Sequence, residues 1–186
     1  MELMDCIFQR RSIRKYKDKQ VDKEIIELLI KAGMAAPTAC NNQPWEFIAV
    51  REKETMDKLR NRMVMGRYNA PAAIVVYGNM KLAMGGLKNH WDQDCSASLE
   101  NILLAATAIG LGSVWIGVYP MQSYIESVRK ALNIPEYVVP LGIAYIGYAD
   151  EEKQSTTQYN EKRVYWEKYD STRKHRSRRK NLKYGL

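Results

Sequence analysis

Three arginines and a serine crowd five consecutive positions near the start of the chain, Arg10–Arg11–Ser12–Ile13–Arg14. In an extended segment, side chains alternate, so Arg10, Ser12 and Arg14 project to one side and Arg11 and Ile13 to the other. Two guanidiniums and a hydroxyl on one face suit a phosphate monoester, which carries about −1.5 to −2 charges at neutral pH. Arginine offers such oxygens planar, paired donors that lysine cannot match. The alternative is a solvated basic helix end, because cations favour helix C-termini.

A second cluster lies in Ala36–Trp45 (APTACNNQPW). Pro37 and Pro44 stiffen it, and Thr38, Asn41 and Gln43 set short hydrogen-bonding groups between them. Side-chain amides read planar heterocycles with carbonyl and imide edges in this way, although an ordinary turn has the same composition. A third stretch, Gly110–Gly117 (GLGSVWIG), fails as a dinucleotide fingerprint because Trp115 stands where a third glycine is needed. No Walker A loop occurs either. What remains is a glycine-bounded turn and strand where backbone can approach a flat ligand closely. Nucleophilic hydrolysis has little to work with: His90 is the only histidine outside the tail, no GxSxG surrounds a serine, and Cys40 has no basic neighbour in sequence.

The elements that must position these groups are legible in outline. Met1–Gln9 reads as a short helix with Leu3, Cys6 and Ile7 on one side. Asp22 is a plausible N-cap for a helix whose stripe is Ile25, Ile26, Leu28, Leu29 and Ala32, ended by Pro37. Trp45–Val50 and Ala72–Tyr77 read as strands, with a polar-faced helix at Glu54–Met63 between them. Asp94–Ile109 is the longest helical pattern and stops at Gly110. Ser113–Val118 is then a strand, Ser123–Glu126 has the form of a capping box, and Val138–Tyr148 is a strand split or edged by Pro140. Strands and helices interleave, which predicts an α/β or α+β sandwich around one sheet.

Composition bounds the function classes. The 186 residues suffice for one ordinary domain, and 46% hydrophobic with 27% charged residues is globular usage, not that of a disordered or collagenous chain. Cys6, Cys40 and Cys95 form no CxxC pair, which argues against a disulfide framework or a four-ligand zinc site and for a reducing, cytoplasmic setting. No secretory leader is read at the start, and no membrane partner is expected. The uncharged run between Glu100 and Glu126 holds glycines, Pro120, Asn101 and Gln122, and is read as a buried helix entering a buried strand. Seven of the net +8 charges lie in 171–186, so a near-neutral domain over residues 1–170 precedes a basic tail. That tail could hold phosphate backbones weakly, but only Tyr184 accompanies its cations, which argues against a nucleic-acid partner.

Taken together and in order, RRSIRKY (Arg10–Tyr16), APTACNNQPW (Ala36–Trp45), NAPAAIVVY (Asn69–Tyr77), LLAATAIGLGSVWIG (Leu103–Gly117) and NEKRVYWEKY (Asn160–Tyr169) resemble the nitroreductase family. The resemblance implies an α+β fold: an α-β-α sandwich with a central, mainly antiparallel sheet, in an obligate intertwined homodimer. It implies FMN as cofactor, NADH or NADPH as electron donor, and a small conjugated acceptor such as a nitroaromatic or quinone. Flavin N5 would carry the chemistry, with no catalytic side chain and no metal. By the same resemblance Arg10, Ser12 and Arg14 hold the phosphate and ribityl end, Arg11 gives mainly backbone, and Lys162 and Arg163 complete the clamp. Pro37, Thr38, Asn41 and Gln43 match the loop that meets the flavin ring, part of it reaching the partner's flavin. Gly112, Trp115, Ile116 and Gly117 match the strand whose backbone lies against the ring. Arg67 is a candidate for a further contact between the first two strands, and Met80–His90, with Gly85 and Gly86, for part of a lid. Relatives with this fold also carry out reductive dehalogenation or flavin cleavage.

Overall fold

The computed structural model describes residues 2–63, 66–155 and 157–173. Two compact units make up the chain, Met1–Ser155 and Thr156–Leu186. In the first, chain order runs α1 (Leu3–Gln9), α2 (Lys23–Met34), β1 (Trp45–Val50), α3 (Lys53–Arg62), β2 (Ala72–Asn79), α4 (Trp91–Ala108), β3 (Gly112–Gly117), α5 (Gln122–Leu132) and β4 (Val138–Gly147). The four strands form one sheet in the order β1-β2-β4-β3, and every neighbouring pair is antiparallel.

Strand alternation sorts the side chains into two cores. Ile74 and Val76 of β2 and Ala144 and Ile146 of β4 face α2 and α4, where Ile26, Leu29, Leu99, Ile102 and Leu103 are buried. Ala73, Val75, Ile143 and Tyr145 face the opposite layer, built on Met56, Leu59, Ile125 and Val128 of α3 and α5. A sheet buried on both faces loses the simple polar-apolar alternation and reads as continuous apolar runs, which is how AAIVVY is written. The arrangement is an α-β-α sandwich of the α+β class.

Helix ends follow local chemistry. α4 closes with Gly110 at φ +80°, the Leu111 N–H donating to the Ala106 carbonyl at 2.8 Å and the Gly110 N–H to that of Thr107 at 3.0 Å. This left-handed closure is open to glycine at little cost. Asp22 occupies the cap position of α2, but its side chain makes no capping hydrogen bond.

Three sequence expectations change. The capping box at Ser123 does not form: the Met121 N–H donates to the Val118 carbonyl at 3.0 Å, this turn starts α5 at Gln122, and Ser123 falls inside the helix. Pro140 neither splits β4 nor lies on an edge. β4 is a central strand, and its pairing with β2 slips between Val76 and Tyr77, so Pro140 sits beside an irregular stretch of the ladder. In α1 only Cys6 is buried; Leu3 and Ile7 are exposed, together with Met4 and Phe8.

In the second unit, a 3-10 turn at Glu161–Arg163 is capped by Asn160, whose side chain accepts from the Lys162 N–H at 3.0 Å. Arg173 donates to the Val164 carbonyl at 2.7 Å and lies over the Tyr165 ring at 4.5 Å. Of the basic tail, 174–186 lie outside the described residues. No helix among the described residues is long and apolar enough to cross a membrane.

Candidate functional site

The arginine segment is extended and laid along β3. Ser12 forms a parallel bridge with Ser113, and the Ile13 N–H donates to the Ser113 carbonyl at 2.9 Å. Gly112 makes this approach possible, because a Cβ there would come within 2.8 Å of Ile13 Cγ2. Ile13 and Tyr16 anchor the segment in the core, the Tyr16 hydroxyl donating to the Ile13 carbonyl at 2.6 Å. Asn69 clasps Tyr16 from both sides: the Tyr16 N–H donates to Asn69 Oδ1 at 3.0 Å, and Asn69 Nδ2 donates to the Tyr16 carbonyl at 2.6 Å.

Two residues absent from the sequence reading complete this anchorage. Glu151 accepts from the backbone N–H groups of Arg14 and Lys15 and pairs with Lys153 at 3.0 Å. Lys153 donates in turn to the Ser12 carbonyl. The Arg14 N–H, with further help from Lys153 and the Lys15 N–H, holds the Glu151 carboxyl below its usual value. Glu151 and Lys153 stand in a charged run that reads as a solvated turn, and the contacts that give them a role are more than 135 residues away in sequence. Nothing local marks them.

The segment holds its guanidiniums in three different states. Arg10 pairs through Nε with Glu100 of α4 at 3.1 Å. Arg11 has a buried Nε without a hydrogen-bond partner, and the Ser113 hydroxyl beside the bridge is likewise buried and unpartnered. Arg14 is exposed, donates to the Ser12 carbonyl at 3.3 Å and lies 5.8 Å from the centre of the Tyr68 ring. Together with Tyr68, Trp115, Ile116, Gly117, Met121 and Tyr124, Arg14 lines a cavity of about 260 Å³. The structure thus brings Arg14 of the first motif to Trp115, Ile116 and Gly117 of the third. Tyr68, not the neighbouring Arg67, reaches this cavity. At Gly117 a Cβ would meet nothing within 4 Å, so no packing among the described residues requires a glycine there.

Thr38, Asn41 and Gln43 do not line this cavity. Their loop is held at the start of α4, where buried Asp94 accepts from the Ala39 N–H at 2.9 Å. Cys40, Asn41 and Gln43 all have positive φ, of 49°, 55° and 47°. Such left-handed residues are costly without compensation. The Thr38 hydroxyl accepts from the Gln43 N–H at 3.2 Å, and Gln43 Nε2 donates to Asn41 Oδ1 at 2.8 Å. Asn42 Oδ1 accepts from the Met84 N–H at 3.0 Å, tying the loop to the Met80–His90 segment, whose Gly85–His90 forms a 3-10 turn. Pro37, Asn41 and Gln43 are exposed. Lys162 and Arg163 are exposed on the 3-10 turn of the second unit.

The profile of the Nitroreductase family matches residues 7–66 and 66–148. A protein of Archaeoglobus fulgidus, provisionally named NADH dehydrogenase/NAD(P)H nitroreductase, is 43% identical over 173 residues, covering 90% of this chain and 99% of its own length. A crystal structure from Parabacteroides distasonis under the same provisional name superposes with a TM-score of 0.85 at 38% identity, covering 90% of this chain and 98% of that one. An FMN-dependent nitroreductase of Clostridium difficile gives 0.81 at 32% identity, covering 89% and 99%. With the motifs, the sandwich and these matches in agreement, the chain belongs to the nitroreductase family.

Proposed function

We propose that this protein is an FMN-dependent oxidoreductase that passes electrons from NADH or NADPH to a small conjugated acceptor such as a nitroaromatic or quinone. The observation that carries the reading is Gly117. Its Cα opens on the cavity that Arg14 lines, and the position has neither a steric neighbour nor a positive φ to explain the missing side chain. A flat ligand packed against backbone supplies that reason. The exposed Arg14 guanidinium on the same cavity suits the phosphate end of such a ligand.

Arg10, Ser12 and Arg14 hold the phosphate and ribityl end in this reading. Arg11 contributes chiefly its backbone. Pro37, Thr38, Asn41 and Gln43 meet the ring edges, and the β3 backbone from Gly112 to Gly117 supports its plane, with Trp115 and Ile116 closing the slot to water. When bound, FMN supplies the redox chemistry, taking hydride from the nicotinamide and giving electrons to the acceptor. The chain's own contribution is alignment, a partly dry slot and fixed donors around it.

A second copy of the chain completes the site. One protomer's cavity of about 260 Å³ is under the roughly 300–1,000 Å³ that buries a drug-sized ligand, and the ring-reading loop lies outside it. The exposed apolar side chains Leu3, Met4, Ile7 and Phe8 of α1 supply a surface for such a partner. Reductive dehalogenation or flavin cleavage uses the same binding site and is separated by the acceptor.

Anaerobic mixing tests the proposal. The purified protein should be yellow, bleach on addition of NADH or NADPH, and regain colour with one class in a panel of nitroaromatic, quinone and halogenated acceptors. Protein that stays colourless after FMN is added would overturn it.

A further inference from the structure

We propose that a second cavity, lying between the end of β1, helix α3 and the segment after Tyr16, binds a phosphoryl dianion. The cavity measures about 270 Å³, and its walls include Lys17, Asp18, Arg51, Lys53, Arg60 and Asn69. It shares no lining residue with the cavity beside Gly117.

Charge is the first argument. Four cations in this wall face one carboxylate, Asp18, an excess of three. The whole of 1–170 carries only +1, so the concentration here is local and not a reflection of a basic body. Asp57, outside the wall, pairs with Arg60 Nη1 at 2.8 Å and Lys53 Nζ at 3.3 Å and offsets one of them. The remaining excess matches a group carrying two negative charges, not a monocarboxylate.

Unsatisfied donors are the second. Arg60 directs one Nη to Asp57 and the other to the Ala70 carbonyl, which leaves its Nε buried without a partner. The Nε of Arg51 is also buried without a partner, and among the described residues no carboxylate pairs with Arg51. Those Nε atoms are sealed from a ligand, so the donors offered to one on this wall are the Nη groups of Arg51, which pair with no carboxylate among the described residues. Arginine forks match the oxygens of phosphoryl groups.

The walls are built independently of any ligand. Asn69 is clasped to Tyr16 by two hydrogen bonds, the Lys17 N–H donates to the Tyr148 carbonyl at 2.9 Å, and Arg51 follows directly on buried Val50 of β1. These contacts fix the backbone that carries the wall, while the Lys17 and Lys53 side chains are exposed and free to close on an anion. The volume admits a diphosphate or a phosphorylated small molecule; both present the same dianionic phosphoryl chemistry.

Calorimetric titration of the full-length protein, saturated with FMN so that the flavin phosphate subsite is filled, tests the site at constant ionic strength. The probes are inorganic diphosphate, glycerol 3-phosphate and, as control, acetate. Saturable one-site binding of at least one phosphoryl probe is expected, with none for acetate. Tighter diphosphate identifies a free anion as the ligand, and tighter glycerol 3-phosphate an ester. Arg51→Gln should weaken the better probe about tenfold or more. Lys17→Gln should weaken it severalfold, and it carries the test if Arg51→Gln does not fold. No saturable binding of either probe, or affinity unchanged in a folded variant, overturns the proposal. Should the protein take up no FMN, the proposed redox function falls, while the diphosphate titration is read in the same way.

Discussion

Gly117 and Glu151 show how far single residues carry function here. Gly117 has open space where its side chain would be, so Gly117→Ala should leave the fold intact by circular dichroism. The added methyl intrudes on the ligand's side, and overfilling of this kind costs about 1–3 kcal/mol. FMN affinity measured by fluorescence quenching should fall accordingly; unchanged affinity would place the flavin elsewhere. Glu151 makes a prediction in pH. Its carboxyl is held below the ordinary value of 4.5, first by the Arg14 N–H, so ionised Glu151 stabilises the folded state. That contribution is present above the unfolded carboxyl's range and is lost as pH falls through the lowered folded value. Urea midpoints should therefore decline on acidification below about pH 4.5, and Glu151→Gln should be less stable at neutral pH with a shallower acid decline. Parallel curves for both proteins would remove Glu151 from the anchorage.

At the scale of elements, the site depends on an edge built without a regular strand. The extended Arg10–Tyr16 segment touches β3 through one bridge and is held by Ile13, Tyr16, Asn69 and Glu151. Gly112 is the point where it comes closest, so Gly112→Ala forces a contact of 2.8 Å with Ile13 Cγ2 unless the segment moves. A loss of about 1–3 kcal/mol is expected by urea denaturation. Adding Ile13→Ala should recover part of the Gly112→Ala cost through coupling between touching residues. Strict additivity of the two would show that the segment does not press on β3.

In the whole molecule, a single copy keeps the proposed flavin-binding groups apart. Arg14, Trp115, Ile116 and Gly117 share a cavity that the Thr38–Gln43 loop does not line, and among the described residues α1 leaves an apolar face exposed. A homodimer reconciles the two facts. Sedimentation should give the mass of two 21.5 kDa chains. Phe8→Glu, which puts a charge on the exposed face of α1, should shift the protein towards monomer and release flavin together. A stable monomer that keeps FMN would contradict the shared site.

Much of this protein was written in its sequence, because the signals involved are local. Strand β1 falls at Trp45–Val50 as its pattern predicts, and α4 stops at Gly110 where a left-handed closure is needed. Tertiary structure decided what local signals do not encode. Pro140 lies in a central strand because irregular pairing with β2 accommodates it, and Ser123 lost its cap because a turn from Val118 claimed the helix start. Glu151 and Lys153 gained their roles from backbone groups more than 135 residues distant. Arg51 and Arg60 belong to the same class: unremarkable in sequence, they meet Lys17 and Lys53 on one cavity wall only in the folded chain.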